Sequence, residues 1–530
     1  MKRHFKKSLA LLLVGALLAA TLSSCASSSK SSDDPASSAS PGVTAGASNA
    51  SDHVFTIRYA AGQTLNPITG TSPDNMALAP LMYEGLFVLN DKMEAESVLC
   101  DSFSTSSDGK TYTITLKSGV AMSDGSTLNA ADVKYSLNWA SQLGRFAGRF
   151  GALSGISTVD ALTLKITLTK ANYKLPELLD VPIIKSGAIN STHPAGSGPY
   201  YYDDTGSAHL VALTTYRDAA KIPVSEIYLK DCTNSDLSVE FSSQAVDMFW
   251  DDPADASEIN ILNDHEIRYY NTTILQYVGF NLHNRVLSNA KIRNAFSLII
   301  DRKSIVSAVY NGHALAAPLI LSPNYKFYDT AWEPQITDTL SELSSIFSSL
   351  GMRDDDTDGF LEFPSSGNTL VPFKLTFIVN ADNSYKVAAA QQVVDSLKKV
   401  GINVELKPLS WSAYVEALKN GNFDMYYGDV YLPADNDLSA LLAPGGSVDY
   451  GHAGTTACQT RINALLAASD DETEKTAAAQ LCAYVDSTDP IIPILYRQYT
   501  VHANRNVISG LNPTQSDVFY GLTSWKINLG

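Results

Sequence analysis

Histidine and cysteine are scarce in this chain, which has nine histidines and five cysteines among 530 residues. The histidines are scattered without a metal-ligand spacing such as H-x-x-x-H, so no zinc or nickel site on one helix is indicated. No G-x-S-x-G elbow is present, which disfavours an α/β-hydrolase. Gly109-Lys110-Thr111 has the ending of a phosphate loop, but Ser104 stands where that loop needs its first glycine. We therefore predict a protein that is not an enzyme and that has no cofactor.

Positive charge is also in short supply. The chain has 38 lysines and arginines against 55 aspartates and glutamates, and its net charge is −17. Four of the cations lie in the first seven residues, so the chain beyond them carries −21. Such an acidic body disfavours nucleic acid and anionic membrane surfaces as partners. It suits a protein that works outside the cell, and it suits a cationic ligand group, although solubility alone would account for it.

Long hydrophobic runs are missing as well. A basic start is followed by an apolar run, Leu9 to Leu22, which is shorter than the ~20 residues that span a membrane. The run ends in Leu22-Ser23-Ser24-Cys25, which resembles the lipobox of bacterial lipoproteins. We predict a signal peptide at residues 1–24 and a diacylated Cys25, with an ordinary secretory signal as the alternative. Two acyl chains would hold the protein to the cell membrane, facing outward.

The segment after Cys25 predicts a flexible linker. Residues 25–52 contain almost only Ser, Ala, Gly, Asp and Pro, which cannot form a core. The folded part starts near His53, and its length of about 475 residues suggests two or three subdomains. Its cysteines allow up to two disulfides outside the cell. Cys458 and Cys482, on neighbouring predicted helices, are the favoured pair; the other two cysteines are Cys100 and Cys232.

Hydrophobic periodicity predicts strands early in the folded part and alternating strands and helices later. The early strands are Val54–Tyr59, 110–117, 161–169, 227–230 and 246–249, with a helix at 129–139 capped by Asn129. The later order is strand 373–379, helix 385–399, strand 402–409, helix 412–419 and strand 423–427. This β-α-β-α-β alternation predicts a parallel sheet. Two helices, 456–468 and 473–485, precede a last strand at 493–499.

Ligand crevices of open parallel sheets lie at the carboxyl ends of the strands. Trp250 and Asp251 follow the predicted strand 246–249, and Asp429 and Tyr431 follow the predicted strand 423–427. Polar and aromatic loops of this kind are typical of binding clefts, although ordinary surface loops have the same composition. Trp411 opens a predicted helix, where it would either stack on a ligand or be buried.

Four ordered motifs carry a family resemblance. Asp108–Trp139 reads DGKTYTITLKSGVAMSDGSTLNAADVKYSLNW, Leu81–Phe87 reads LMYEGLF, His193–Tyr200 reads HPAGSGPY, and Tyr277–Gly312 reads YVGFNLHNRVLSNAKIRNAFSLIIDRKSIVSAVYNG. Together they are similar to signatures of the family 5 extracellular solute-binding proteins of ABC importers. That group binds oligopeptides, dipeptides and nickel.

The resemblance implies an α/β, two-lobed periplasmic-binding-protein-like fold with an additional inserted subdomain, whose lobes are joined by two hinge strands. The hinge strands would lie near Leu275–Asn281 and Ile492–Tyr499, and the ligand would be enclosed as the lobes close. The predicted divisions are lobe I at residues 53–80, 190–275 and 495–530, the inserted subdomain at 81–189, and lobe II at 276–494.

The sequence departs from the family where peptide-binding relatives carry an aspartate that pairs with the ligand ammonium. Leu432 stands at that position here. Asp429 and Asp435 are the nearest substitutes, and Asp429 is preferred because it follows the strand most closely. A neutral ligand held by aromatic faces is the alternative. The predicted ligand-binding residues are Trp250, Asp251, Trp411, Tyr427, Asp429, Tyr431 and Asp435.

The resemblance also implies the function. We predict a monomeric binding protein that captures peptides and delivers them to the permease and ATPase of an importer. A sugar, an opine-like compound or a metal chelate is the alternative ligand, and a sensor or an extracellular hydrolase on the same scaffold is the alternative function.

An acidic turn remains outside this assignment. Asp354, Asp356 and Asp358 match the first half of an EF-hand loop, but Ser365 stands where the bidentate glutamate is needed. We favour a solvated turn over a structural Ca2+ site.

Overall fold

The protein is described from a computed structural model that covers residues 54–529 except 255–258, 260, 262, 335–338 and 366–368. The predicted signal peptide, Cys25 and the linker lie outside the described residues. Within the described part of the chain, no helix combines the length and the apolarity needed to cross a membrane.

One large mixed sheet runs through the molecule. Its strand order is β17, β16, β18, β12, β19, β11, β1, β10, β9, β8, and β13 pairs with β19. The bounds are β1 (Thr56–Tyr59), β8 (Tyr200–Asp203), β9 (His209–Ala212), β10 (Glu226–Asp231), β11 (Met248–Asp251), β12 (His265–Phe280), β13 (Ala314–Ala316), β16 (Lys374–Asn380), β17 (Asn403–Leu409), β18 (Met425–Tyr431) and β19 (Ile491–Asn504).

Shorter sheets complete the strands. A four-stranded sheet has the order β4, β5, β7, β6, and three two-stranded sheets pair β2 with β3, β14 with β15, and β20 with β21. Their bounds are β2 (Phe87–Leu89), β3 (Ala95–Ser97), β4 (Cys100–Thr105), β5 (Thr111–Leu116), β6 (Leu153–Thr158), β7 (Thr163–Leu168), β14 (Glu362–Pro364), β15 (Leu370–Pro372), β20 (Ile508–Ser509) and β21 (Lys526–Ile527).

The helices pack on the faces of these sheets. Their bounds are α1 (Pro73–Ala77), α2 (Ala79–Met82), α3 (Ala130–Ala140), α4 (Leu237–Ser242), α5 (Ala290–Ile299), α6 (Arg302–Val309), α7 (Thr339–Ser349), α8 (Ser384–Lys398), α9 (Trp411–Asn420), α10 (Ser439–Leu442), α11 (Thr456–Leu466) and α12 (Asp471–Thr488). The 3-10 helices span Gly144–Phe150, Leu175–Leu178, Ala219–Lys221, Thr330–Trp332 and Leu522–Ser524.

Two long strands connect the two ends of the large sheet. β12 and β19 pair antiparallel from His265 opposite Asn504 to Gly279 opposite Ile491, with a register shift after Asn271. At one end β19 pairs with β11, and at the other β12 pairs with β18. β12 contains residues 275–280 of the first predicted hinge segment, and β19 contains all of the second, 492–499.

The later half folds as the periodicity predicts. β16 is parallel to both β17 and β18, and α8 and α9 form the crossovers. Asn383 caps α8 by accepting a hydrogen bond from the Lys386 N–H, and Val393 and Leu397 on the buried face of α8 pack into the core. Gly421, with a φ of 67°, ends α9 in the left-handed conformation that glycine adopts at little cost.

The described residues form separate hydrophobic cores. One core lies beneath β1, β8, β10 and β11 and includes the C-terminal residues Phe519 and Trp525. A second core joins the four-stranded sheet to α3. Two more cover the two faces of the sheet built by β16, β17 and β18. The exact divisions between lobes remain a prediction.

Two strands extend further than predicted, and this corrects the placement of four site residues. Trp250 and Asp251 are the last residues of β11, opposite Val501 and Thr500. Asp429 and Tyr431 lie on β18, opposite residues of β12. The prediction that these residues lie in loops is therefore wrong, because long partner strands supply backbone hydrogen bonds that no local pattern reveals.

The cysteines differ from expectation too. Cys458 and Cys482 lie on the packed helices α11 and α12, but both are free thiols, as are Cys100 and Cys232. The favoured disulfide is therefore wrong. Both thiols are buried in an apolar cluster and pack as small hydrophobic groups, and burial raises the pKa of Cys482 to about 12.

Candidate ligand-binding cleft

A cavity of about 1160 Å³ lies where the two lobes and the inserted subdomain meet. By the predicted divisions, the inserted subdomain contributes residues from 81–89, 145–153 and 168–182, lobe I contributes residues from 79–80, 216–218 and 515–523, and lobe II contributes residues from 430–440. Its volume slightly exceeds the range of about 300–1,000 Å³ that is typical of small-molecule sites.

The lobe II wall begins at the carboxyl end of β18. Tyr431, the last residue of that strand, leaves 60% of its surface exposed and lines the cavity. Leu432, the next residue, also lines the cavity and is buried. An exposed aromatic ring at this point provides a face on which a ligand can stack. The carboxyl-end position agrees with the expectation for an open α/β sheet.

Glu84 on the cavity wall has all of its hydrogen-bond partners within the protein. It is buried, and the Arg217 guanidinium donates to both of its oxygens, with Nη1 2.8 Å from Oε2. The Ser197 hydroxyl donates at 3.0 Å and the Tyr216 hydroxyl at 3.1 Å. Glu84 therefore supports the wall and has no free charge for a ligand.

A segment of the inserted subdomain, residues 170–174, spans the cavity and contacts lobe II; we call it the strap. Lys170 forms an ion pair with Asp437 at 3.0 Å. The Asn172 amide donates to Asp435 Oδ2 at 2.8 Å, and the Tyr173 N–H donates to the Leu466 carbonyl at 2.7 Å.

The far end of the strap is an ionic cluster. Lys174 pairs with Glu474, and both side chains are buried. The Tyr325 hydroxyl donates to Glu474 Oε1 at 2.6 Å, and Lys326 lies 3.2 Å from Oε2. These contacts hold the inserted subdomain against lobe II.

The sequence model of the bacterial extracellular solute-binding proteins, family 5 Middle, matches residues 94–449. The chain belongs to family 5 of the extracellular solute-binding proteins. Its family 5 relative GsiB of Salmonella typhi, a glutathione-binding protein, is 27% identical over 288 residues, which are 51% of this chain and 56% of GsiB. The chain thus spans about half the length of the curated relatives it matches.

Solved structures share the fold across most of the chain. The murein tripeptide-binding protein MppA, in an unliganded open form, matches with a TM-score of 0.75, 18% identity and coverage of 90% of this chain and 98% of MppA. NikA from Brucella suis, in complex with Fe(III)-EDTA, matches with a TM-score of 0.72, 17% identity and coverage of 89% and 99%. These similarities confirm the predicted two-lobed α/β fold. The family consists of binding proteins, in agreement with the prediction that the chain is not an enzyme.

Of the residues predicted to bind ligand in this family 5 protein, Tyr431 and Asp435 line the cavity. Asp435 is 1% exposed, and it accepts hydrogen bonds from Asn172 and from the Asp437 N–H at 3.0 Å. Burial, together with the negative charge of Asp437, raises the pKa of Asp435 to about 6.

Trp250 and Asp251 lie in the sheet and not on the cavity wall. The Arg58 guanidinium lies 5.7 Å from the centre of the Trp250 ring, and Phe519 packs edge-on against that ring at 5.9 Å. Both contacts keep the indole away from a ligand in this cavity. The Asp251 carbonyl accepts a hydrogen bond from the Thr500 hydroxyl at 3.2 Å.

The three other predicted residues also lie off the cavity wall. Tyr427 is 1% exposed and donates through its hydroxyl to Gln276 Oε1 at 2.9 Å. Asp429 pairs with Lys386 at 2.7 Å. Trp411 begins α9, where its ring is 56% exposed. The structure thus does not bring these three side chains together with Tyr431 and Asp435.

The sequence analysis missed the contributions of two segments. Gly144–Phe150 brings Arg145, Phe146 and Arg149 to the cavity, and residues 515–520 bring Asp517. The motif GRFAGRF, with two arginines each followed by phenylalanine, is a local signal for the first segment. No local pattern marks Asp517, because only the fold brings the C-terminal segment to the cavity.

The acidic turn lies apart from the cavity. Carboxylate oxygens of Asp354, Asp356, Asp358 and Glu362 lie within 4.8 Å of one another. They accept backbone hydrogen bonds inside the turn; for example, the Gly359 N–H donates to Asp354 at 3.0 Å. Ser365 is not part of this group. Such bonds are those of a self-capping turn, and a Ca2+ ion remains the less favoured alternative.

Proposed function

We propose that this family 5 protein is a lipid-anchored, outward-facing binding protein that captures peptides and delivers them to the permease and ATPase of an ABC importer. The observation that carries the proposal is the cavity of about 1160 Å³ between the lobes, which is lined by aromatic rings and by charges of both signs. Tyr431 and Asp435 are the predicted site residues that we place against the ligand. We further propose that the protein acts as a monomer.

The names of relatives support a peptide ligand. GsiB binds glutathione and MppA binds a murein tripeptide. Both ligands are peptides, and an unblocked peptide carries an ammonium and carboxylates. A cavity wall with charges of both signs complements such a ligand better than it complements a neutral sugar.

A metal chelate is the second candidate, because NikA was crystallised with Fe(III)-EDTA. No histidine is among the described residues that line the cavity. A metal would therefore be bound through the charges of its chelator.

Native mass spectrometry of the protein without residues 1–25 tests the ligand class. We expect co-purified peptides, and we expect added peptides to stabilise the fold by about 2.7 kcal/mol at a hundredfold excess over Kd. Binding of only sugars or chelates would overturn the peptide assignment. Chemical conversion of a bound compound would support the hydrolase alternative.

Membrane anchoring is tested with the full-length chain. A Cys25→Ala variant cannot be acylated at that position, so we expect it to leave the membrane fraction of the host cell. The unchanged protein in the same cells is the control. A variant that stays in the membrane fraction would disprove the proposed anchor.

A further inference from the structure

Charged side chains on the cavity wall fall into two groups, those that are paired within the protein and those that are not. Ten charged residues line the cavity: Glu84, Arg145, Arg149, Lys170, Asp180, Arg217, Asp218, Asp435, Asp437 and Asp517. Ion pairs join Arg217 to Glu84, Arg149 to Asp180, Lys170 to Asp437 and, from outside the wall, Lys221 to Asp218.

Asp435 is the one acid in this set that is satisfied by neutral donors, since the Asn172 amide and a backbone N–H hold its two oxygens. Two residues remain among the described charges of the wall, Arg145 and Asp517. They have opposite signs and lie on different segments of the chain.

Asp517 presents an acid without a cation. Its Oδ1 accepts a hydrogen bond from the Phe519 N–H at 2.8 Å, and no ion pair or further side-chain hydrogen bond engages its carboxylate within the described residues. Burial removes water from the Asp517 carboxylate and destabilises its ionised form, which raises the pKa of Asp517 to about 7. A ligand ammonium would repay this cost, because a buried charge is stabilised chiefly by an opposite charge.

Arg145 presents a cation that is near Asp180 but does not share in the ion pair of Asp180 with Arg149. It lies in the 3-10 segment Gly144–Phe150, its side chain is exposed, and its guanidinium carbon lies 4.8 Å from the centre of the Phe146 ring. No carboxylate forms an ion pair with it within the described residues. The surrounding walls and the neighbouring positive charge of Arg149 lower the pKa of Arg145 to about 10, so it stays protonated at neutral pH.

We propose that Asp517 and Arg145 bind the two charged ends of a zwitterionic ligand, with Asp517 holding its ammonium group and Arg145 holding its carboxylate. This inference rests on the proposed function and specifies its ligand as an unblocked peptide. Arg145 offers a planar pair of donors that matches a carboxylate. Asp517 offers a free carboxylate oxygen to the N–H groups of an ammonium.

The assignment places neither charge anchor on lobe II. Asp517 belongs to lobe I and Arg145 to the inserted subdomain, whereas Tyr431 and Leu432 cover the cavity from lobe II. The apolar Leu432 at the usual anchoring position is then compatible with peptide binding, because another segment of the cavity wall holds the ammonium.

Peptides whose terminal ammonium or carboxylate is chemically blocked test this assignment on the unaltered protein. Calorimetric titrations would use alanine peptides of two to five residues, each in an unblocked, an N-acetylated and a C-amidated form. We expect each block to weaken binding at least about thirtyfold, which corresponds to about 2 kcal/mol. The reason is that each block leaves one wall charge desolvated and unpaired.

Variants then assign each end to its residue. Asp517→Asn keeps the acceptor for Phe519 and should weaken binding of unblocked peptides but not of N-acetylated ones. Arg145→Gln should weaken binding of unblocked peptides but not of C-amidated ones. Glu405→Gln, exposed and paired with Lys374 away from the cavity, and Arg353→Gln, exposed and away from the cavity, are the matched controls.

The outcomes separate this inference from the proposed function. Peptides that bind equally well with and without blocks would overturn the charge assignment and leave the peptide-binding function in place. An unchanged affinity for unblocked peptides in either variant would also overturn it. If no peptide binds in any form, the peptide-binding function fails, and this inference fails with it.

Discussion

Tyr427 and Tyr431 show how one strand serves two purposes. Side chains four residues apart on a strand point to the same face. Tyr427 is nevertheless 1% exposed and Tyr431 is 60% exposed. The difference arises because β18 leaves the lobe II core and ends at the cavity, so its first residues stabilise the fold and its last residue faces the ligand space.

Substituting each tyrosine should therefore have different consequences. Tyr431→Ala should leave the free energy of unfolding within about 0.5 kcal/mol of the unaltered protein but lower peptide affinity about tenfold, because a stacking face is lost. Tyr427→Ala should cost about 3–5 kcal/mol of stability, since it empties a buried aromatic site. Urea denaturation and calorimetric titration measure both quantities. Unchanged affinity in Tyr431→Ala would contradict the placement of this residue in the site.

Asp429 illustrates why sequence reasoning identified a strand that reaches the cavity but not which of its residues line the cavity. Its position after an apolar strand predicted a ligand contact, and the carboxyl end of β18 does line the cavity. Its ion-pair partner, Lys386, lies 43 residues away on α8 and is 13% exposed. A pattern along the chain does not reveal such a pairing, because it depends on how α8 packs on the sheet.

At the level of elements, the segment Gly144–Phe150 positions Arg145 through a backbone that only glycine fits well. Gly144 has a φ of 65°, and a Cβ there would lie 2.4 Å from the Ile68 carbonyl oxygen. Gly148 in the same segment has open space around it and an ordinary φ. The two glycines therefore form a matched pair for an experiment.

Gly144→Ala should destabilise the protein by about 1–3 kcal/mol, since both the backbone conformation and the contact with Ile68 are strained. The segment should shift, and peptide affinity should fall because Arg145 moves with it. Gly148→Ala should leave stability close to that of the unaltered protein. Thermal unfolding and peptide titration would measure both variants; equal effects of the two substitutions would argue against a strained Gly144.

Helix α3 was predicted more accurately than the ends of β11 and β19, for a physical reason. The cap at Asn129 and the apolar face of α3 are local features, and the observed helix Ala130–Ala140 agrees with the predicted 129–139 within one residue. The ends of β11 and β19 depend on their partners instead. β19 extends from Ile491 to Asn504 because β11, β12 and β13 all pair with it, whereas its apolar pattern predicted only residues 493–499.

At the level of the whole molecule, the strap is a fixed contact between the inserted subdomain and lobe II. Its residues bind partners that lie 263 to 300 positions further along the chain, such as Asp435 for Asn172 and Glu474 for Lys174. The sequence predicted the inserted subdomain and lobe II but not the contact between them, since no pattern near residues 170–174 indicates their partners in lobe II.

Removing the buried cation of the strap should weaken this contact. Lys174→Met keeps the length of the side chain but leaves Glu474 with only Lys326 and Tyr325, so we expect a loss of about 2–3 kcal/mol of unfolding free energy. Lys374→Met is the control, because its ion pair with Glu405 is exposed and should contribute less than about 1 kcal/mol. Chemical denaturation of both variants is the measurement, and equal losses would contradict a stabilising role of the strap.

The same interface should make stability depend on pH. Glu177, which follows the strap, has a buried Oε2 without a hydrogen-bond partner among the described residues, and burial raises its pKa to about 7 despite the nearby Lys174. The negative charges of Asp435 and Glu474 act in the same direction as burial. Because its pKa is higher in the folded than in the unfolded protein, folding takes up a proton, and the resulting stability is lost as pH rises from about 4.5 through about 7.

We therefore expect this group to stabilise the unaltered protein by about 1–2 kcal/mol more at pH 5.5 than at pH 8. Glu177→Gln is neutral at every pH, so its free energy of unfolding should lack this contribution, and the difference between variant and unaltered protein should change with pH. Glu472→Gln, an exposed glutamate on the adjacent α12, should leave the pH dependence unchanged. Urea denaturation at five pH values between 5.5 and 8 measures these differences. Parallel curves for the unaltered protein and Glu177→Gln would show that Glu177 does not bind a proton on folding.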